Sequence, residues 1–229
     1  AFGAMVYFFL WLIWRAQIDM IKRRHLIHLP DRNLLAGQLR QSDDTLIDAP
    51  RGDHDLNPGT RSTIQLTRAA VLIPLVVHMD ITTVLLTRRT EHLAKHPGQI
   101  SFPGGHMEDV DVTPEETALR ETEEETGLHR RHIDIIGKLD DYETRTGFRV
   151  TPVVAVVTPP FVLEPDPYEV AEAFEVPLAF LLDPVNHHTH SHIYEGTKRV
   201  FYAIPFNEYF IWGATAGMLI NLYEVLESS

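Results

Sequence analysis

Three glutamates near residue 125 are the side chains of this sequence best suited to chemistry. Residues 120–127 read Arg-Glu-Thr-Glu-Glu-Glu-Thr-Gly, so Glu121, Glu124 and Glu125 stand three and four positions apart. On a helix this spacing places the three carboxylates on one face and Glu123 on another. Like charges at this spacing repel, and carboxylates near a helix C-terminus oppose its dipole. The cluster therefore predicts a compensating cation, and hard oxygen ligands suit Mg²⁺ or Mn²⁺.

The ends of the helix that would carry these residues can be read from the sequence. Thr113 suits the N-cap, Pro114 suits the first position, and Glu116 would complete a capping box. Gly127 supplies the left-handed residue that commonly ends a helix. Arg120 can pair with a carboxylate one turn further on, but one guanidinium cannot neutralise three carboxylates.

Length and charge limit the function of the whole chain. The 229 residues suffice for one well-filled core. A net charge of −12 argues against nucleic acid as a partner, because a phosphate backbone needs a broad basic surface. The absence of cysteine excludes disulfides, zinc–thiolate sites and thiol nucleophiles, and it fits a reducing, cytoplasmic location. A small anionic substrate is compatible with this composition, because a few local cations and a metal can bind phosphate.

We divide the chain into an N-terminal apolar segment with a polar linker, residues 1–65, and a catalytic domain, residues 66–229. The apolar run at 2–14 is shorter than the roughly 20 residues that a membrane-spanning helix needs. Three interpretations stay open: upstream sequence outside the fold, a helix docked on its own domain or on another subunit of a homo-oligomer, or a segment lying on a membrane surface. Residues 41–62, rich in Asp, Pro and Gly, are predicted to be the linker.

Hydrophobic patterns predict strands at 71–77, 83–87, 133–139, 150–157 and 199–204, with a hairpin turn at 78–80. A closing helix is predicted at 214–226. Strands that flank a central helix favour an α/β fold of the mixed α+β kind, with a mixed sheet between helices. The histidine run at 187–192 is interpreted as surface chemistry on a loop or strand end rather than as a zinc site.

The carboxylate segment resembles the Nudix box, whose consensus is Gly, five residues, Glu, seven residues, and Arg-Glu-aliphatic-any-Glu-Glu-any-Gly-aliphatic. The matching residues are Gly105, Arg120, Glu121, Glu124, Glu125, Gly127 and Leu128. Two positions depart from this pattern. Thr122 replaces the aliphatic residue, and the early acidic residue is Asp111, with one extra residue before the arginine. The resemblance implies the Nudix fold and a hydrolase of nucleoside diphosphate derivatives.

The stretch before the box resembles one branch of that family, the coenzyme A pyrophosphatases. It reads Leu-Leu-Thr-Arg-Arg-Thr at 85–90, then Gly98 and Phe-Pro-Gly-Gly at 102–105. Similar segments follow at 146–154, 174–178 and 209–213, so the resemblance covers about residues 69–226. Thr90 replaces a serine of the branch pattern, and Ala94 replaces an arginine. The residues expected to bind substrate are Arg89, Lys95, His96, Gly104 and Gly105.

A pyrophosphate bridge is inert because its anionic oxygens repel a nucleophile, so catalysis needs charge neutralisation and an oriented water. We expect Glu121 and Glu125 to bind the metal, with Glu124 completing the site or holding a water. Arg120 is expected to orient these carboxylates. Two candidates for the general base stay open, Glu124 and Glu169, with Glu175 as a weaker alternative.

Three functions compete at this point. The leading one is metal-dependent cleavage of coenzyme A or acyl-CoA to 3′,5′-ADP and a 4′-phosphopantetheine product. The second is a Nudix hydrolase for ADP-ribose or a nucleoside triphosphate, in which Ala94 reflects a changed phosphate contact. The third is a metal-binding module that senses a nucleotide without cleaving it. The complete set of three glutamates argues against the third, because a pure binder has no need of it.

Overall fold

The structure is a computed structural model that describes residues 32–39, 50–61, 65–93, 96–194 and 196–227. The apolar run at 2–14, residues 41–49 and 62 of the predicted linker, and two residues of interest for phosphate binding, Ala94 and Lys95, lie outside the described residues. Within these ranges, no helix is long and apolar enough to cross a bilayer.

A nine-stranded mixed sheet forms the centre of the molecule. Its longest strands, β2 and β8, run parallel and side by side, and β2 also forms an antiparallel hairpin with β3. The strands are β1 (Arg51–Gly52), β2 (Thr67–Val77), β3 (Thr82–Arg89), β4 (Ile100–Ser101), β5 (Gly104–His106), β6 (Ile133–Lys138), β7 (Tyr142–Glu143), β8 (Phe148–Val157) and β9 (Val170–Pro177). The hairpin predicted at 78–80 is present, and the His78 N–H donates to the Ile81 carbonyl.

The described residues form four α-helices, α1 (Arg32–Gln38), α2 (Pro114–Thr126), α3 (Leu178–Leu181) and α4 (Ala214–Glu227). Strand β2 shows how they are layered. Its alternate residues Ile73 and Leu75 pack with Leu219 of α4, whereas Leu72 packs with Ala118 of α2 on the opposite face. Because both faces of the strand are covered, β2 reads as a continuous apolar run. The prediction of a mixed sheet between helices is therefore confirmed.

A second, antiparallel sheet consists of β10 (His188–Tyr194), β11 (Thr197–Phe206) and β12 (Tyr209–Trp212). Strand β11 was predicted with shorter bounds. Strand β10 carries the histidine run, and all seven of its residues are exposed. Because neither face of β10 is buried, it lacks the apolar alternation by which a strand is recognised in sequence.

Residues 50–61 differ from the predicted linker, because they pack on the catalytic domain. Strand β1 pairs in parallel with β7. The Asn57 side chain donates to the carbonyl of Val200 at 2.8 Å and accepts from the N–H of the same residue at 2.9 Å. Polar composition correctly predicted a loop, but it does not predict these specific hydrogen bonds.

Candidate active site

Helix α2 begins and ends where the sequence predicts. Thr113 is the N-cap, and its side chain accepts from the Glu116 N–H while the Glu116 carboxylate reaches back to the N-cap N–H. Gly127 has φ of 70°, and its N–H donates to the Glu123 carbonyl at 3.0 Å. These caps hold the helix ends and therefore fix the positions of the glutamates between them.

Strand β5 brings its backbone directly against the carboxylates. The Gly104 N–H donates to Glu125 Oε2 at 3.2 Å. A Cβ on Gly105 would stand 2.5 Å from the Glu121 carboxyl carbon, so a side chain there would displace that carboxylate. A Cβ on Gly104, whose φ is 151°, would collide with the Ala70 carbonyl at 2.4 Å. Glycine is thus needed at position 105 to leave room for the Glu121 carboxylate, and at position 104 to leave room for the backbone of β2.

Arg120 connects the early acidic residue of the segment to the glutamates. Its Nε lies 3.1 Å from Asp111 Oδ1 and its Nη2 2.9 Å from Asp111 Oδ2, a two-bond pair. Its Nη1 lies 2.9 Å from Glu124 and 3.1 Å from Glu121. The Arg120 hydrogen bonds hold the pKa of Asp111 well below its usual range. Asp111 therefore stays charged and fixes the guanidinium that in turn fixes the two glutamates.

Glu125 is the most enclosed of the three glutamates, with its side chain 8% exposed. Burial raises its pKa to about 8, the Gly104 N–H opposes this, and the nearby Glu121 adds to it. Burial also raises the pKa of Glu121, against the effect of Arg120. Two neighbouring carboxylates whose pKa values are both raised by burial form a site that favours an added cation.

Strand β3 and the loop before β9 complete the surroundings of Glu125. Arg89 Nη1 lies 3.9 Å from Glu125 Oε1. The Thr90 N–H donates to the Glu169 carbonyl at 3.0 Å, and the Thr90 hydroxyl donates to the Tyr168 carbonyl at 2.8 Å. The Glu169 carboxylate contributes to the raised pKa of both Glu121 and Glu125. The loop that carries Glu169 is therefore tied to the end of β3, beside the carboxylates.

The structure brings together most of the predicted site residues, namely Arg89, Gly104, Gly105, Arg120, Glu121, Glu124, Glu125 and Glu169. Two candidates stand apart. Glu175, the weaker candidate base, is bound to His78 and Thr83 at the far end of β9. His96 is exposed in the loop between β3 and β4, where its carbonyl accepts from the Gln99 N–H at 3.3 Å.

The carboxylate oxygens of the three glutamates are the type of ligand that a hard divalent cation prefers. Glu121 and Glu125 face the β5 backbone, whereas the Glu124 side chain is 59% exposed and lies against Arg120. Among the described residues, no three His, Asp or Glu side chains stand at the spacing of a complete ligand set. The inward pair, Glu121 and Glu125, is thus the part of the predicted ligand set whose carboxylates lie together against the β5 backbone.

Sequence reasoning missed the roles of two residues. Asp111 was noted for its irregular spacing, although its pairing with Arg120 is its main contact. Thr90 was noted as a replacement for serine, although its hydroxyl anchors the loop that carries Glu169. The signal for Asp111 was only partial: an acidic residue shortly before a helix that carries an arginine is a natural partner for it, but the extra residue in the segment obscures the register.

Comparison with known proteins gives the family. The NUDIX domain family matches residues 66–195. The chain is 38% identical over 162 residues to NudL of Escherichia coli strain K12, described as an uncharacterized Nudix hydrolase, and the match covers 71% of this chain and 84% of that protein. NudL of Shigella boydii serotype 18 matches with the same figures. This chain belongs to the Nudix family. As a Nudix protein it is a hydrolase that acts on a nucleoside diphosphate derivative, and the family generally uses divalent metal ions.

Solved Nudix structures resemble parts of this chain. The MutT/nudix family protein from Enterococcus faecalis is 16% identical with a TM-score of 0.47, covering 74% of this chain and 65% of that one. The NUDIX domain of Shewanella oneidensis NrtR, solved with ADP ribose, is 21% identical with a TM-score of 0.40, covering 57% and 84%. Scores at this level carry no argument about substrate, so the assignment to the Nudix family rests on the sequence matches.

Proposed function

We propose that this Nudix protein hydrolyses the pyrophosphate bond of coenzyme A or acyl-CoA. One observation supports this choice above the others: two residues of the branch-specific stretch 85–105, Arg89 and Gly104, lie against the Glu125 carboxylate. The Arg89 side chain approaches Glu125 from one side, and the Gly104 N–H binds the same carboxylate. This arrangement supports the proposal, because it puts these two branch residues beside the Glu125 carboxylate and not on a remote surface.

The proposed reaction consumes one water. Its oxygen forms a bond to one phosphorus, the P–O bond to the bridging oxygen breaks, and the bridging oxygen leaves on the other phosphate. The two products are 3′,5′-ADP and 4′-phosphopantetheine or its acyl derivative. A divalent cation, Mg²⁺ or Mn²⁺, held by Glu121 and Glu125, would supply charge neutralisation and lower the pKa of water.

The residues of this chain supply positioning and proton transfer. The Gly104 N–H orients Glu125, and Arg120 holds Glu121 and Glu124 in place through its pair with Asp111. Arg89, partly exposed beside Glu125, can bind a phosphate oxygen of the substrate. These contacts exist before any substrate arrives, which limits the reorganisation needed during the reaction.

Glu169 is the better candidate for the general base. Glu124 is bound to Arg120, whose Nη1 donates to its Oε2 at 2.9 Å, so the carboxylate is already engaged by a donor. In the described part of the chain, Glu169 has no cationic partner within 4.0 Å, and it lies close enough to raise the pKa of both inner glutamates. We assign the proton of the attacking water to Glu169, with Glu124 positioned by Arg120.

A panel of substrates tests the proposal. Coenzyme A, acetyl-CoA, ADP-ribose and a nucleoside triphosphate are each incubated with the full chain and Mg²⁺, and the products are resolved by chromatography. We expect 3′,5′-ADP from the first two at rates well above the others. Release of AMP from ADP-ribose at the highest rate would instead support the second candidate, which the missing cation at Ala94 favours. Parallel reactions with Mn²⁺ identify the preferred metal.

Other expectations from the sequence stay predictions. They are the cytoplasmic location, the contribution of residues 2–14 to a homo-oligomer or to a membrane surface, and the role of Lys95 and His96 in phosphate binding. The domain boundary at residue 65 is likewise proposed, and residues 50–61 are packed on the catalytic domain in any case.

A further inference from the structure

A cavity of about 410 Å³ opens between the second sheet and the turn that joins β7 to β8. Three aromatic side chains line it, Tyr194, Phe201 and Trp212, and the last two pack edge to face with ring centres 5.2 Å apart. Its size falls within the usual range of small-molecule sites, roughly 300–1,000 Å³. The cavity therefore offers flat apolar surfaces to a ligand of nucleotide size.

Two arginines line this cavity, Arg199, which is half-buried, and Arg145, which is exposed. Arg199 Nε is buried and has no hydrogen-bond partner within the described residues. The Arg145 guanidinium lies over the Tyr194 ring, 4.5 Å from its centre. Neither guanidinium has a carboxylate within 4.0 Å in the described part of the chain, although Asp53 lines the same cavity. Both Asp53 oxygens are already engaged, one by the Tyr142 hydroxyl and the other by the Arg145 N–H.

An unpartnered buried donor costs free energy, so its presence calls for an explanation. A bound anion would provide one, because guanidinium groups bind phosphate oxygens with charge-assisted hydrogen bonds. The aromatic walls add a second preference, since rings and arginine planes stack on a planar base. A flexible aliphatic or amide chain would use neither feature.

The cavity is structurally connected to the catalytic carboxylates. A Cβ on Gly213, which lines it, would stand 3.9 Å from Gln99 Nε2. The Gln99 carbonyl accepts from the Arg89 N–H at 3.0 Å, and the Arg89 side chain reaches to 3.9 Å from Glu125. Gln99 therefore links the lining of the cavity to Arg89, whose side chain reaches Glu125.

We propose that this cavity binds the 3′-phosphoadenosine portion of the substrate. The purine stacks on the aromatic wall formed by Tyr194, Phe201 and Trp212, and the 3′-phosphate accepts hydrogen bonds from Arg199 and Arg145. This inference rests on the proposed function, because among the candidate substrates only coenzyme A and its acyl derivatives carry that phosphate. It also explains why alanine at position 94 is compatible with binding of the 3′-phosphate, because Arg199 and Arg145 supply the cations for this group.

Direct binding tests the cavity without catalysis. The full chain is titrated by calorimetry with 3′,5′-ADP, 5′-AMP and inorganic phosphate, and the same titrations are made on Arg199→Met and Arg145→Met. Lys198→Met is the matched control: it removes one cation from the neighbouring position of β11, which is exposed and outside the cavity. We expect each arginine variant to bind 3′,5′-ADP at least about tenfold more weakly, as loss of one charge-assisted hydrogen bond implies. Affinity for 5′-AMP should change little, and the control should match the parent.

Kinetics separate failure of this inference from failure of the proposed function. If coenzyme A is cleaved, the arginine variants should raise KM for coenzyme A but not for 3′-dephospho-coenzyme A, with kcat unchanged. Cleavage of coenzyme A with unchanged KM and unchanged 3′,5′-ADP affinity in both variants would overturn the cavity assignment alone. Arginine-dependent binding of 3′,5′-ADP without any cleavage of coenzyme A would retain the cavity and reject the reaction. Equal affinities for inorganic phosphate and 3′,5′-ADP would show that the cavity binds an anion without recognising the adenine base. That result would also overturn the inference.

Discussion

At the scale of single residues, each glutamate of the Nudix helix has a different environment. Glu125 is buried and bound by a backbone N–H, Glu124 is exposed and bound to Arg120, and Glu123 points away to Arg130 at 3.2 Å. Identical side chains therefore have different chemistry because their neighbours differ. Thr122 illustrates the same point, because its hydroxyl donates to the Ala118 carbonyl at 2.6 Å and so satisfies a polar group at a fully buried position.

Replacing Glu125 by glutamine should abolish most of the activity without unfolding the protein. Glutamine keeps the shape but loses the negative charge that would hold a divalent cation, so we expect kcat to fall by several orders of magnitude. Because the change removes a desolvated charge, the melting temperature should not fall. Glu123→Gln on the opposite face of the helix is the control and should remain active. A Glu125→Gln protein with parental activity would contradict the site assignment.

Residue types and spacing were enough to predict the carboxylate face, both helix caps and the pairing of Arg120 with Glu124. They could not reveal that Asp111 binds Arg120 with two hydrogen bonds, because the extra residue in the segment obscures the register. They ranked Glu169 above Glu175 as a candidate base, but they could not show where either acid lies relative to Glu125. Glu169 directly precedes β9, and Glu175 lies near the other end of the same strand. Only the pairing of β9 with β3 shows that the Glu169 end of β9 lies beside Glu125.

At the scale of elements, the close packing of β5 against α2 and β2 is what sets the distance between backbone and carboxylates. Gly105 lies against Glu121 of α2, whereas Gly104 lies against the backbone of β2. Alanine at each position should therefore give a different result. Gly105→Ala places a methyl group against the Glu121 carboxylate, a flexible side-chain end that can move aside. We expect kcat to fall about tenfold or more while the melting temperature changes little, because misplacement of a catalytic group by about 1 Å is costly.

Gly104→Ala should instead damage stability. Its methyl group would meet the Ala70 carbonyl and the Val71 Cα, backbone atoms of a central strand that cannot move aside. A loss of about 1–3 kcal/mol in the free energy of unfolding is expected, measured by urea denaturation. Gly147→Ala is the control for backbone strain alone, because φ there is 93° and no atom lies within 4 Å of the added methyl group. Equal losses for the two variants would show that contact with β2 is unimportant.

The ion pair between Arg61 and Glu143 of β7 predicts that the stability of the fold depends on pH. Hydrogen bonds from Arg61 to Glu143, at 2.9 and 3.1 Å, lower the pKa of the Glu143 carboxyl. A carboxyl whose pKa is lower in the folded state stabilises the fold above its unfolded pKa, near 4.3, and this contribution is lost as pH falls through the folded value. Glu143→Gln should therefore reduce the fall in melting temperature below about pH 4.3. Asp80→Asn, in the exposed β2–β3 turn, should not reduce it.

Secondary structure was predictable where one or both faces of an element are buried. Strands β2, β3, β6 and β8 and helices α2 and α4 all carry this signal. Strand β10 has every residue exposed, and β1 and β5 are too short to show a period. The residues at 50–61 join the fold through side-chain hydrogen bonds, which local composition does not encode.

At the scale of the whole molecule, the fold keeps the acidic centre at the junction of three parts. Helix α2 supplies the carboxylates, β5 supplies a backbone donor, and the loop before β9 closes over the helix end. The Asp166 N–H donates to the Glu125 carbonyl at 3.0 Å and the Glu164 N–H to the Thr126 carbonyl at 2.9 Å. A ligand that neutralises the inner glutamates would therefore stabilise contacts among all three parts.

Mg²⁺ should accordingly stabilise the native protein. A ligand that binds only the folded state at a hundredfold excess over its dissociation constant adds roughly 2.7 kcal/mol, which corresponds to a rise of roughly 5–10 °C in melting temperature for a chain of this size. Thermal melting is compared in Mg²⁺, in Mn²⁺ and in Na⁺ at matched ionic strength, because general screening alone also relieves repulsion between carboxylates. The rise should vanish in a Glu121→Gln, Glu125→Gln double variant, whose metal-free protein should melt no lower than the parent. An equal rise in that variant would place the ion elsewhere, and no rise in the parent would count against a metal site formed by these two glutamates.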